Sequence, residues 1–427
     1  MTSIPSSHWT RTEEHVRVLS GLGLEPLLAT KEFLRLGRIS FLGTLDVLAN
    51  LRRSFSRLEH SVGVAMLALT YSDGVGLPAP QRTLLLAGTL LHDIGHAPLS
   101  HVAETLLLER MRRYHEAVGA AIVRRNWADF DEDETIGRAL RHLGTNILDG
   151  VRALLAGGEV SSQLSGVFSG ATSVDAFDGI TRTAWALGED VPEPTDLARL
   201  FEAQNGQVVL PDYNLRRLRA FWDLQERVYK EKIYTDEVLA AEAMVTRALE
   251  LGLPSKGAAL FEFARAVDDD AWDMMEGTPT GHDLVRSLRT RALYRGLASA
   301  NGTLVRILQD EIAEGGGRFA FDLRRVIEAR IAKMLDIPPE HVITHYSFTR
   351  EFKGSYTPRQ HVFDFSSGSG GGACSLEEVH GMFYIQRASG SRFDVFVPPE
   401  VDSRRLHDLV TGHISRRRGY DHPTCCV

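Results

Sequence analysis

The stretch Leu91-His92-Asp93-Ile94-Gly95-His96, read together with Arg57-Leu58-Glu59-His60 upstream, decides the fold. An adjacent His and Asp offer a nitrogen and an oxygen from one point on the backbone. A His on a second helix completes the pair, and an Asp from a third helix closes a mixed His/Asp site. Imidazole and carboxylate together suit one divalent metal ion, Mn, Fe, Co, Ni, Zn or Mg, rather than a thiolate-bound soft metal. A site of this kind with open positions activates water, which points to hydrolysis.

The composition agrees with a large folded protein. At 427 residues the chain buries a sizeable core and has room for more than one domain. It is 43% hydrophobic and 24% charged, an ordinary globular balance. The net charge of −8 argues against non-specific nucleic-acid binding. No apolar run is long enough to span a bilayer, and Met1-Thr2-Ser3-Ile4-Pro5 lacks the basic and apolar parts of a signal peptide. Of the three cysteines, Cys374, Cys425 and Cys426, two are adjacent, so no disulfide partner is expected and a cytoplasmic location is the default.

Hydrophobic spacing makes residues 10–290 mostly helical. Ser61 to Tyr71 reads as a small-and-apolar helix starting at His60. Gln81 to His92 is apolar on nearly every face, so it reads as a buried central helix stopped by Gly95 and Pro98. Ser100 to Trp127 keeps helical spacing. Ser173 to Leu187 reads as another helix, and Leu215 to Leu251 as one or two long ones. The character changes near residue 290. Arg318 to Leu335 reads as helical. Val342 to Phe348, Gln360 to Phe365, Met382 to Gln386 and Phe393 to Val397 read as short strands, with a Gly/Ser loop at Ser366 to Gly372 and a last helix at Asp402 to Ile414. The expected fold class is mainly α: an all-helical catalytic domain over 1–290 and a smaller C-terminal α+β lobe over 291–427.

Other His-Asp pairs serve as internal controls. His282-Asp283 and His407-Asp408 end no buried apolar helix and precede no Gly-His, so both read as surface residues. The pair at 92 stands in a richer text: Arg57-Leu58-Glu59-His60-Ser61-Val62-Gly63-Val64, then Leu91-His92-Asp93-Ile94-Gly95-His96-Ala97-Pro98-Leu99-Ser100-His101, His115-Glu116, and Ser173-Val174-Asp175-Ala176-Phe177-Asp178. This text resembles the HD-domain phosphohydrolases, and within them the branch of the deoxynucleoside triphosphate triphosphohydrolases. The resemblance implies an all-helical HD core and metal ligands at His60, His92, Asp93 and Asp175, with Asp178 the rival for the last place. It implies a phosphate contact at Arg57, another at His96, and non-ligand catalytic histidines at His101 and His115, with Glu104 placed to hold His101 charged. A dimer or larger homo-oligomer is the expectation on the same ground.

The match thins around the substrate. That branch commonly carries Gln-Leu-Gly where this chain has Phe41-Leu42-Gly43, a basic residue where it has Ala176, a Tyr where it has Gly179, and Arg-Asp where it has Arg182-Thr183. Each lost charge-assisted contact is worth roughly 1.5–3 kcal/mol, enough in combination to change the substrate. The resemblance therefore implies metal-dependent phosphoester hydrolysis, on a nucleotide or another phosphorylated small molecule. Two alternatives differ in class. A nucleotide-binding sensor or partner protein would bind without turnover. A dinuclear-iron oxygenase would recruit His115 and His142 as extra ligands.

Overall fold

A computed structural model of the chain describes residues 7–297, apart from gaps within 112–134, 157–171, 205–206 and 254–257, and beyond 297 chiefly 336–347 and 392–401. The chain divides into two compact units. One comprises Met1–Ile233, Ser255–Ala271 and Pro358–Gln386; the other comprises Tyr234–Pro254, Trp272–Thr357 and Arg387–Val427.

The first unit is helical and holds the motif residues. Its main helices are α1 (Thr12–Leu19), α2 (Arg57–Gly74), α3 (Ala79–Leu91), α4 (His101–Met111), α5 (His115–Arg124), α6 (Thr145–Leu155), α7 (Val174–Ala186) and α8 (Leu215–Val228). Helix α2 begins one turn earlier than the apolar pattern implies, because Ser56 and Glu59 form a capping box. The Ser56 hydroxyl accepts from the Glu59 N–H, and the Glu59 carboxylate accepts from the Ser56 N–H at 2.8 Å. This start lifts both Arg57 and His60 onto the first turn. Helix α3 is the buried central helix: Leu85 through Leu91 are all buried, and it packs on α2 and α6. The core around it includes Val62, Leu67, Leu90, Ile94, Val118, Phe177 and Phe221. Each fully buried large side chain contributes roughly 1.5–3 kcal/mol. The Ser100–Trp127 pattern resolves into two helices, α4 and α5. A small antiparallel hairpin, β1 (Glu202–Gln204) and β2 (Gln207–Val209), pairs Glu202 with Val209 in a region where no strand is expected from sequence.

The segment after α3 runs directly over α5. A Cβ added to Gly95 would lie 2.1 Å from the His115 carbonyl oxygen and 2.3 Å from the Gly119 nitrogen. Only a residue without a side chain permits this contact, which sets His96 beside His115.

The second unit mixes helices and a sheet. Helices α9 (Asp236–Gly252) and α10 (Pro279–Arg289) pack on each other, and α9 covers a three-stranded antiparallel sheet. Its strands β3 (Arg295–Leu297), β4 (Ile343–Ser347) and β5 (Arg392–Val397) lie in the order β3-β5-β4, with Phe396 between Gly296 and Ile343. Buried Arg247 pairs with Glu328 at 2.6 Å, and Glu328 also accepts from the Thr344 N–H at 2.9 Å. By contact, α9 and α10 belong with the sheet. The strands expected at 342–348 and 393–397 are present. Within Gln360 to Phe365, the described residues Val362–Phe363 form a strand paired with Cys374–Ser375. The expected elements at 318–335, 366–372, 382–386 and 402–414 lie wholly or largely outside the described residues. His282 and Asp283 are exposed, in keeping with a surface pair. Among the described residues, no helix is long and apolar enough to cross a membrane.

Replacing Gly95 with Ala should overpack the crossing of the motif loop with α5. A stability loss of about 1–3 kcal/mol is expected, read as a lower urea midpoint at unchanged slope; a variant as stable as the parent would contradict this close approach.

Candidate metal centre and its histidine neighbours

His60 comes from the first turn of α2, His92 and Asp93 from the end of α3, and Asp175 from the first turn of α7. The His60 and His92 Nε2 atoms stand 3.3 Å apart. Asp175 Oδ1 lies 3.1 Å from His60 Nε2 and 3.6 Å from His92 Nε2. Asp93 places its oxygens 3.3 Å from His92 Nε2 and 3.7 Å from His60 Nε2. His60, His92 and Asp93 thus bring ligand atoms within 4.8 Å of one another, and Asp175, from a third helix, approaches both imidazoles.

The other nitrogen of each imidazole is committed. His92 Nδ1 donates to the Thr89 carbonyl at 2.7 Å. His60 Nδ1 donates to Asp178 Oδ2 at 2.6 Å, since a carboxylate only accepts. Both Nε2 atoms therefore offer lone pairs toward each other and toward two carboxylates. Such a set is unsatisfied without positive charge among it. Burial works against a charged His92, yet Asp93 and Asp175 outweigh it and push its pKa up to about 9. Burial likewise opposes ionised Asp93, but His92 and Arg57 hold it well below the usual carboxylate range. The donor set fits a divalent cation held by two imidazoles and two carboxylates.

Asp178 stands behind this set rather than in it. It is fully buried and takes a forked contact from Arg182, Nε at 2.7 Å and Nη2 at 2.9 Å. His8, from the N-terminal segment, donates to its other oxygen at 3.1 Å. Gly63, one turn after His60, makes room: a Cβ there would lie 2.5 Å from Arg182 Nη2 and 2.6 Å from Asp178 Oδ1. His15 packs against His8 with ring centres 4.8 Å apart. Burial first, then His8, lowers the His15 pKa to about 4.

Arg57 is buried, and two of its three nitrogens are engaged. Nη1 meets Asp93 Oδ2 at 2.7 Å, Nε meets the Ser100 hydroxyl at 2.9 Å, and the guanidinium lies 5.0 Å from the Phe41 ring centre. Phe41 also packs on His60 at 4.6 Å. In this structure Arg57 braces a candidate ligand.

A second group gathers next to the first. Glu104 accepts from His101 Nδ1 at 2.9 Å and from His115 Nδ1 in a very short contact. His115 stacks on His96 with centres 3.9 Å apart. Donor atoms of His96, His101, Glu104 and His115 all lie within 4.8 Å of one another. Burial opposes charge on His115, but Glu104 prevails and raises its pKa. Burial, then Arg57, holds His96 well below the usual range, so His96 is neutral. His96 Nε2 lies 3.3 Å from Asp93 Oδ1 and joins the two groups. His101 is mostly exposed, while His96 and His115 are buried. His142 is exposed on the helix Thr135–Leu143 and belongs to neither group.

His8, Ser100 and the Thr89 carbonyl carry weight here that no sequence pattern announces. Ser100 lies inside the motif text, but a lone serine there gives no sign of its partner.

Comparison with known proteins agrees with this geometry. The HD domain family matches residues 57–162, the segment that carries Arg57, His60, His92, Asp93 and the second histidine group. Residues 57–162 thus carry the HD domain. It is 25% identical over 230 residues to the Bacillus subtilis (strain 168) protein YwfO, covering 52% of this chain and 50% of that one. It is 26% identical over 225 residues to the Dictyostelium discoideum deoxynucleoside triphosphate triphosphohydrolase SAMHD1 homolog, covering 48% and 42%. The chain thus spans half or less of the length of these curated relatives. Among solved structures, an Aquifex aeolicus protein shares the fold at a TM-score of 0.63 and 18% identity, over 92% of this chain and 95% of that one. A phosphohydrolase of Bacteroides thetaiotaomicron VPI-5482 does so at 0.60 and 15%, over 87% and 94%.

Two outcomes follow from the groups behind His60. Asp178→Asn should weaken Mn²⁺ binding by about 10–100-fold, the usual cost of losing an outer partner of a ligating histidine, as measured by calorimetric titration of the apo-protein. His15 should make the fold acid-sensitive. Its folded pKa of about 4 lies below the unfolded value of 6.5, so the unfolded chain takes up the proton first and stability falls as pH drops through that window. Urea melts of His15→Gln at pH 7.5 and pH 5 should show a smaller fall than the parent.

Proposed function

We propose that this protein is a metal-dependent phosphohydrolase acting on nucleotides, a deoxynucleoside triphosphate or a related, modified or less phosphorylated nucleotide. The observation that carries the reading is the convergence of His60, His92, Asp93 and Asp175, with both imidazole Nδ1 atoms already engaged. These four residues would hold one divalent cation. When bound, such a cation supplies Lewis acidity that lowers the pKa of a water toward neutral and offsets phosphate charge.

The chain's own residues supply the rest. Asp175 is half exposed while His60 and Asp93 are buried, so substrate approaches from the Asp175 side. His101 is exposed, and Glu104 orients it through Nδ1, leaving Nε2 toward solvent as the proton donor to the leaving oxygen. His115, held charged by Glu104, offers a second positive group. His96, neutral and buried beside Asp93, meets a phosphate oxygen only as an N–H donor. Arg57 acts mainly through Asp93. The name of the Dictyostelium relative supports a nucleotide, while Phe41, Ala176 and Gly179 mark a changed substrate shell. The exposed position of His142 weighs against a six-ligand di-iron centre.

A panel of deoxy- and ribonucleoside tri-, di- and monophosphates, with sugar-modified analogues, offered with Mn²⁺ or Co²⁺, tests the reading. Release of phosphate, pyrophosphate or triphosphate is expected from at least one member. The double change His92→Ala with Asp93→Ala should cut turnover by at least about 100-fold. Turnover that survives this change, or tight nucleotide binding with no turnover in the parent, would overturn it.

A further inference from the structure

Two consecutive residues of the motif loop adopt a backbone conformation that side chains disfavour. Leu99 has φ 60° and Ser100 has φ 56°, and neither is glycine. Each such residue costs on the order of 1 kcal/mol or more, so surrounding contacts must hold it. Two of the residues that supply these contacts, Ser40 and Asp268, lie outside the segment matched to the HD domain.

We infer that Asp268 is a positioning residue of the metal centre: its carboxylate clamps Leu99 and Ser40 and thereby sets Ser100 under Arg57. Leu99 N–H donates to Asp268 Oδ1 at 2.7 Å, and Ser40 N–H donates to Asp268 Oδ2 at 2.8 Å. The Ser100 hydroxyl donates to the Ser40 carbonyl in a very short contact. It also accepts from Arg57 Nε at 2.9 Å, while Arg57 Nη1 reaches Asp93 at 2.7 Å. The path from clamp to candidate ligand is continuous.

The neighbouring chain is tied down as well. Arg35 donates to the Ala266 carbonyl at 3.1 Å, to the Ile94 carbonyl at 3.0 Å and to the His96 carbonyl at 2.8 Å. Arg35 thus pins the segment that delivers Asp268 to the start of the motif loop. The acidic run 268–270 divides its work. Asp270 accepts from the Val267 N–H at 2.9 Å and caps the helix Asp268–Glu276. Asp269 pairs with Arg38 at the surface. Both oxygens of Asp268 are left for the loop.

The consequence for catalysis rests on the hydrolase reading; the clamp itself does not. The full-length chain and its Asp268→Asn, Asp268→Ala and Asp269→Asn variants are compared by amide hydrogen exchange over 97–101 and at Ser40, and by Mn²⁺ titration. The near-isosteric Asn variant keeps one acceptor and presents an NH₂ group to the other N–H, so it carries the test even if the Ala variant fails to fold. Exchange at Leu99 and Ser40 should quicken at least about tenfold, and Mn²⁺ should bind about tenfold more weakly. Asp269→Asn should match the parent in both. Unchanged exchange, or unchanged Mn²⁺ affinity, in Asp268→Asn overturns the inference. A parent that binds Mn²⁺ but turns over no nucleotide would defeat the hydrolase reading while leaving the clamp standing.

Discussion

Everything at this centre depends on where two protons sit. The Nδ1 hydrogens of His60 and His92 are drawn away by Asp178 and by the Thr89 carbonyl, which leaves both Nε2 lone pairs aimed at the same point. Were either ring to take the other tautomer, a proton would occupy the place of the cation. The fold spends much of its interior on preventing this. Helix α3 ends on its own Thr89 carbonyl, and Asp178 is locked by the Arg182 fork and by His8. Buried charge of this kind persists only where every partner is present.

Two groups of similar residues take opposite electrostatic characters. Around His60 and His92, two carboxylates and two inward-facing Nε2 atoms create a demand for positive charge. Around His115, a single carboxylate serves two imidazoles and favours the charged form of His115. Neutral His96 lies between them, stacked on one and 3.3 Å from the other. An anion drawn toward the cation would therefore meet proton-bearing histidines on its flank. That juxtaposition is the physical basis for reading the centre as hydrolytic.

The sequence made the core of this centre legible because its parts obey local rules. An apolar helix ending in His-Asp can only be buried with its ligands at the edge, and α3 is so placed. The i, i+3 spacing of Asp175 and Asp178 set both on one face of α7, and the choice between them needed the third dimension: one meets both Nε2 atoms, the other meets Nδ1. Helix α2 starts a turn earlier than hydrophobic spacing implies, since that spacing does not register a polar capping box. Arg57, which resembles a phosphate contact in sequence, gives Nη1 to Asp93 and Nε to Ser100, two bonds that no local pattern announces. His8 and Asp268 were invisible as parts of the centre because their contacts span 170 and 169 residues of chain, a separation no local pattern encodes. The hairpin at 202–209 is too short to show a period.

The aromatic wall formed by Phe41 bears on how choosy this pocket is. Its ring lies over His60 and Arg57, and Gly179 beside it contributes no side chain at all. A pocket built to pair with a hydroxyl rejects analogues lacking it, because its own polar groups are then stranded; a bare hydrocarbon face strands nothing and discriminates by only about a hundredfold. Beside His60, then, the Phe41 ring and the bare backbone of Gly179 present hydrocarbon rather than hydrogen-bonding groups.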